Sequence, residues 1–246
     1  MPDYEDVVAA PVRSKFEAEL SDPVLLMLVA QHLTIAAELL RARRQARPLM
    51  PVKVYSLKRE KHAVSMIGPA LGAPAAAMAL ERCAAQGVRH VVVVGVAGSL
   101  RPEVKIGDFL VPTSAKSEEG TSAFYEPDQF PPLAGEKALA AVEDTMKNAC
   151  LNYHRGPVWT MDAFYRETKD KVKRYGDEGV LAVEMELAAL FTVARLRGVE
   201  LAALLVISDE LASLSWKPGW VNPTFLNNLR LSCTLGLNAA LRLAAA

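Results

Sequence analysis

Four consecutive valines, Val91–Val94, closing the stretch Val88–Val94, constrain the fold of this chain more than any other segment. β-branched side chains lose rotamer freedom in a helix and pack well on a pleated surface. A run with no polar alternation must be buried on both faces, as a central strand is in a layered α/β protein. Leu201–Ile207 repeats the pattern, and Pro23–Val29 is a third apolar run of strand length. Val52–Leu57 and Ala63–Ile67 flank Lys58-Arg59-Glu60-Lys61 and predict a hairpin. Tyr153–Thr160 reads as a further strand, Asp108–Pro112 as a mixed segment, and Ser117–Pro132 as a polar loop.

Helices are expected between these strands. They cover Gln31–Arg44, Pro74–Gln86, Gly135–Ala149, the charged stretch Glu167–Tyr175, and Leu187–Arg197 with its stop at Gly198. Asn222-Pro223 is a good cap for a last helix that runs to about residue 244. Residues 1–20 read as an arm with a short helix. Strands alternating with helices predict an α/β protein, a three-layer α/β/α sandwich around a mixed, largely buried sheet. The chain has 246 residues, 51% of them hydrophobic, and shows neither repeat nor linker, so residues 1–246 are expected to form a single domain.

Composition excludes several function classes. Lys+Arg 28 balances Asp+Glu 28, which argues against a nucleic-acid partner. The apolar runs are too short to span a bilayer, so no membrane partner is expected. Cys83, Cys150 and Cys233 are widely spaced and the histidines number four, so no metal site is expected. No hydrophobic leader follows the acidic Met1–Asp6, and a reduced, cytoplasmic setting fits the cysteine pattern.

The chemistry concentrates in Val183-Glu184-Met185-Glu186-Leu187 and in Ile207-Ser208-Asp209, whose acid lies 23 residues after Glu186. Glu186 can accept two hydrogen bonds from a vicinal diol such as that of ribose. Met185 offers an adaptable apolar surface to a sugar face. An acidic first helical turn favoured by the helix dipole would account for one glutamate, with Met185 in the core, but less readily for two. Asp209 ends an all-apolar strand, where desolvation raises a carboxyl pKa and makes it a usable general acid. Asp209 as a helix cap is the plainer alternative, but Leu211–Trp216 does not read as a helix. Gly68-Pro69-Ala70-Leu71-Gly72 and Gly95-Val96-Ala97-Gly98 each follow a strand; they suit close approach of a ligand, or simply tight turns and close packing. Trp159–Tyr165 supplies aromatics for a heterocycle, or for the core. Ligands of open α/β sheets bind at the carboxyl ends of strands, so Gly68, Gly95 and Asp209 should converge. An aromatic base, a diol-bearing sugar and a leaving group needing a proton together describe a nucleoside.

From about Ala63 to Glu210 these motifs resemble the nucleoside phosphorylase superfamily of purine nucleoside phosphorylase, uridine phosphorylase and methylthioadenosine nucleosidase. The match includes the Gly68 turn, Gly95-Val96-Ala97-Gly98, Ile106–Pro112, Glu119-Gly120-Thr121-Ser122, Asp162–Tyr165, Val183–Glu186 and Ser208-Asp209. The resemblance implies ribosyl transfer from a purine or broad-range nucleoside, uridine included, to inorganic phosphate as co-substrate, with no other cofactor. It implies that Met185 and Glu186 hold ribose, Phe164 stacks on the base, and Asp209 protonates N7 of a departing purine. Gly68, Gly95 and Glu184 are further expected substrate contacts. Family members assemble, so a homo-oligomer is expected. The sequence departs from the family where phosphate is gripped: Val93 replaces an arginine, Val96 replaces a hydroxyl residue, and Leu25–His32 lacks the Gly-Asp-Pro turn. Arg41, Arg43, Arg44, Lys58 or Arg59 could serve instead. Otherwise the chain is a nucleosidase using water, or a nucleoside-binding protein without turnover.

Overall fold

A computed structural model of the protein describes residues 8–59, 62–125 and 131–245. Its ten strands belong to one sheet. The first, β1 (Val24–Met27), lies parallel between β4 (His62–Gly68) and β5 (His90–Ser99). On the far side, β3 (Lys53–Arg59) pairs antiparallel with β4, and the two-residue β2 (Arg43–Arg44) pairs with β3. β5 also runs parallel to β9 (Glu200–Glu210) along its whole length. β9 then pairs with β6 (Phe109–Glu118), β6 with β7 (His154–Met161), β7 with β8 (Ala182–Glu184), and β8 back with β5. Five strands therefore form a closed circuit at one end of the sheet, and the strands from β1 outward extend from it. β10 (Lys217–Pro218) folds back antiparallel on the end of β9.

Helices cover both faces. α2 (Ala73–Ala85) and α6 (Leu187–Arg197) pack over Val91, Val93, Ala203 and Leu205. α1 (Ala30–Leu39), α4 (Glu136–Asn148) and α7 (Pro223–Ala244) pack over Val92, Val94, Ala202 and Leu204. Alternate valines of β5 thus feed opposite cores, which is why its sequence shows no polar alternation. Asn222 caps α7, its side-chain oxygen accepting from the N–H groups of Thr224 and Phe225. Two shorter helices complete the chain, α3 (Ser122–Tyr125) and α5 (Lys169–Asp177). Among the described residues no helix is long and apolar enough to cross a membrane.

The three-layer α/β arrangement agrees with expectation, and the element boundaries differ at four places. α1 stops at Leu39, and Arg43–Arg44 is an edge strand rather than the end of a helix. β6 continues to Glu118 through sequence that reads as loop, because its polar side chains Ser114, Lys116 and Glu118 lie toward the rim. α3 occupies part of the same expected loop, whose residues 126–130 lie outside the described residues. Residues 8–20 contain turns and no helix, while residues 1–7 and the hairpin tip at Glu60 and Lys61 lie outside the described residues.

Candidate active site

A cavity of about 210 Å³ opens where β1, β5, β8 and β9 end, with Leu28, Ala97, Val183, Glu184 and Asp209 among its walls. Met185, Glu186, Phe164, Glu167 and Trp220 complete its chemically distinctive lining. Of the expected site residues, Phe164, Glu184, Met185, Glu186 and Asp209 therefore meet in one place. Gly68 and Gly95 do not line it. They stand behind the wall: a Cβ on Gly68 would collide with the Met27 carbonyl oxygen, and one on Gly95 would lie 2.7 Å from Leu28 Cδ1. Close packing between β1 and its neighbours requires both glycines, which is the plainer of the two readings of those turns.

The two glutamates on either side of Met185 have different surroundings. Glu184 is buried and fully engaged. One oxygen accepts from the Thr160 hydroxyl, and the other accepts from the Glu186 and Leu187 N–H groups at 2.7 Å each. It thereby satisfies orphan donors at the start of α6. Glu186 is also buried, and its carboxylate accepts from the Gly72 N–H at 2.6 Å. That bond ties the turn after β4 to the start of α6 and leaves acceptor capacity toward the cavity. Burial raises both pKa values above the usual carboxylate range, and for Glu186 the Glu184 charge adds to it.

Asp209 lies at the other side. A register shift between β5 and β9 at Ala97/Gly98 brings Gly98 opposite Asp209, and a Cβ there would approach the Asp209 Oδ2 to 2.8 Å. The absent side chain makes room for the acid. Oδ1 accepts from the Ser208 hydroxyl at 2.6 Å, and Oδ2 accepts from the Trp216 indole N–H at 3.0 Å. Burial raises the Asp209 pKa against the opposing effect of these two donors. Trp216 also meets the Phe164 ring edge-on at 6.0 Å. Replacing Trp216 by Phe removes one donor to the anion, so the Asp209 pKa should rise further. An acid that must be protonated then works to higher pH, and a kcat/KM profile should show its alkaline limb displaced upward in Trp216→Phe.

Two residues here escape a reading of the sequence alone. Trp216 reaches Asp209 because β10 turns the chain back on β9, a pairing that no local pattern announces. Glu167 follows a single 3₁₀ turn at Phe164–Arg166 and enters the cavity, although its charged context reads as a surface helix. Burial and the nearby Asp209 charge push Glu167 up to about 7. The polar part of the lining is thus four carboxyls and Ser208, and no Lys, Arg or His is among the lining residues. Among the described residues no group of three or more His, Cys, Asp or Glu is arranged to hold a metal ion.

An α/β protein with a carboxyl-lined cavity at its strand ends is built to bind and transform a small molecule. The chain belongs to the phosphorylase superfamily, whose sequence profile matches residues 26–235. It is 30% identical over 161 residues to a guanosine phosphorylase of Halorubrum lacusprofundi, covering 65% of this chain and 67% of that one. A DeoD-type purine nucleoside phosphorylase of Bacillus cereus is 35% identical over 150 residues. The match covers 60% of this chain and 64%, under two thirds, of that relative's length. The crystal structure of a uridine phosphorylase from Vibrio fischeri superposes with a TM-score of 0.79 at 26% identity, covering 89% of this chain and 91% of that one.

Proposed function

We propose that this chain is a nucleoside phosphorylase, a pentosyltransferase that moves the ribosyl group of a purine nucleoside from the base to inorganic phosphate. The observation that carries the reading is the convergence of Asp209, Glu186, Met185 and Phe164 on one cavity. Phe164 faces the base, and Met185 faces the apolar side of the sugar. Glu186 accepts from the ribose 2′- and 3′-hydroxyls, whose donors offset its burial and favour the ionised form. As the C1′–N9 bond breaks, its electrons pass into the base and Asp209 delivers a proton to N7. Positive charge develops on the ribosyl ring, where the Glu186 anion stabilises it, and a phosphate oxygen closes on C1′. The products are the free base and ribose 1-phosphate. The acid at Asp209 favours purines, and a broader range that includes uridine is compatible with the family. The same reading makes the protein a cytoplasmic homo-oligomer that needs no cofactor beyond phosphate.

One observation favours hydrolysis by water as a second reading. Val96 lines the cavity together with Leu28, Val29 and Leu71, while Val93 is fully buried in the core behind it. A desolvated anion against such a wall loses several kcal/mol unless donors replace water. Under the phosphorolysis reading those donors are backbone N–H groups or a cation from another subunit, such as the exposed Arg43 or Arg44 on β2. Release of base from guanosine, inosine, adenosine, uridine and methylthioadenosine, with and without phosphate, tests the choice. Phosphorolysis requires release that rises with phosphate and vanishes without it. Equal release in both conditions would establish hydrolysis, and binding without release a non-catalytic protein.

A further inference from the structure

Four carboxyls enter the cavity, and three of them have donors. Glu184, at the end of β8, is held by Thr160 and by backbone N–H groups, and Glu186, before α6, by Gly72. Asp209, on β9, is held by Ser208 and Trp216. Glu167, from the turn ahead of α5, accepts no hydrogen bond from any described residue, and no cation lines the cavity to neutralise it. Its neighbour Arg166 is exposed and is not among the lining residues. Glu210, next to Asp209, is engaged by Lys217 and the Ile106 N–H. β1 and β5 bring only apolar residues and Gly98 to the lining.

Two carboxyls that share a desolvated space do not both ionise readily. A carboxyl without donors is the natural proton holder, because its O–H needs an acceptor rather than a donor. We infer that Glu167 and Asp209 act as a pair that shares one proton, so that Glu167 keeps Asp209 supplied with the proton it gives to the leaving base. This inference rests on the phosphorylase reading of the site. Burial raises the Asp209 pKa while the two donors on its oxygens oppose that rise, and a second carboxyl in the same cavity adds to the preference for the protonated form. When the pair's proton passes to N7 and the C1′–N9 electrons enter the base, both carboxyls of the pair are left charged. That state draws a proton back from water through the half-buried Glu167, and the pair is reset for the next turnover. The raised pKa of Glu167, with burial and the Asp209 charge as its causes, agrees with this arrangement.

Glu167→Gln keeps the shape and removes both the proton and the like charge. Asp209 should then lose its proton at lower pH. For guanosine, kcat/KM should fall by about tenfold or more near about pH 8, with little change near about pH 5.5, because one pKa unit is a factor of ten. Glu167→Asp should restore part of the alkaline activity. 7-Methylguanosine carries its positive charge at N7 already and departs without a proton, so its cleavage should be nearly unaffected by Glu167→Gln. An equal loss for both nucleosides at every pH would overturn the pairing and leave Glu167 a structural residue. Carbon NMR titration of the Asp209 carboxyl, without substrate, tests the pairing independently of turnover. A lower apparent Asp209 pKa in Glu167→Gln supports it, and an unchanged value overturns it. A wild type that cleaves no nucleoside would instead contradict the phosphorylase reading, with the NMR result still deciding the pair.

Discussion

Asp209→Asn should lower kcat for purine nucleosides by about 10²–10⁴-fold, the usual contribution of a positioned general acid, with KM near the wild-type value. The substitution preserves shape, and the local hydrogen bonds can survive it. With its amide oxygen toward the Trp216 indole N–H and its amide nitrogen toward the Ser208 oxygen, the new side chain would satisfy both neighbours of the native carboxyl. What it cannot do is release a proton to N7. Steady-state kinetics on guanosine and inosine measure the loss. Undiminished purine cleavage would remove Asp209 from the mechanism, and an equally large rise in KM would make it a binding residue.

Glu186→Ala should lower kcat/KM for ribonucleosides by about 10–100-fold, since a hydrogen bond to a charged group contributes about 1.5–3 kcal/mol. The loss should be smaller for 2′-deoxyribonucleosides, which present one hydroxyl fewer. Equal losses for both sugars would place the contact elsewhere. Glu186 also predicts a stability effect with a definite sign. Burial and the Glu184 charge raise its folded-state pKa above the unfolded value. Its contribution is complete below the unfolded pKa of about 4.3 and is lost as pH rises through the folded value. The urea midpoint of the wild type should therefore fall between about pH 5 and about pH 8, and Glu186→Gln should reduce that fall.

Much of this architecture is legible in local pattern. The β5 valines announce a strand between two cores, and those cores take alternate valines. The Asn222-Pro223 cap and the Gly198 stop mark helix ends that the structure keeps. What local pattern does not contain is pairing between distant segments. The closure of β8 on β5 depends on Gly98 and Ser99 meeting Val183 and Ala182, and nothing in either segment specifies the other. β6 escapes full recognition because half of its length runs at the rim, where polar side chains are tolerated.

The site divides in the same way. Glu186, Met185 and Asp209 stand out because acids next to buried strands lack a simple structural reason. Glu184 looks equivalent to Glu186 in sequence, but an acid two residues earlier reaches the first N–H groups of α6 and is consumed there. Glu167 is masked by the charges around it, and Trp216 by the hairpin that carries it back to Asp209. The apolar wall is visible in sequence as Val96, with Val93 in the core behind it, and the structure adds Leu28, Val29 and Leu71 to the wall.

That wall makes the identity of the nucleophile the central question. Phosphorus NMR of the wild-type protein turning over guanosine in phosphate buffer addresses it directly, because the two possible sugar products differ in phosphorus. Ribose 1-phosphate should accumulate in step with guanine, one for one. Guanine released with free ribose and no new phosphorus signal would contradict the account and make the protein a hydrolase.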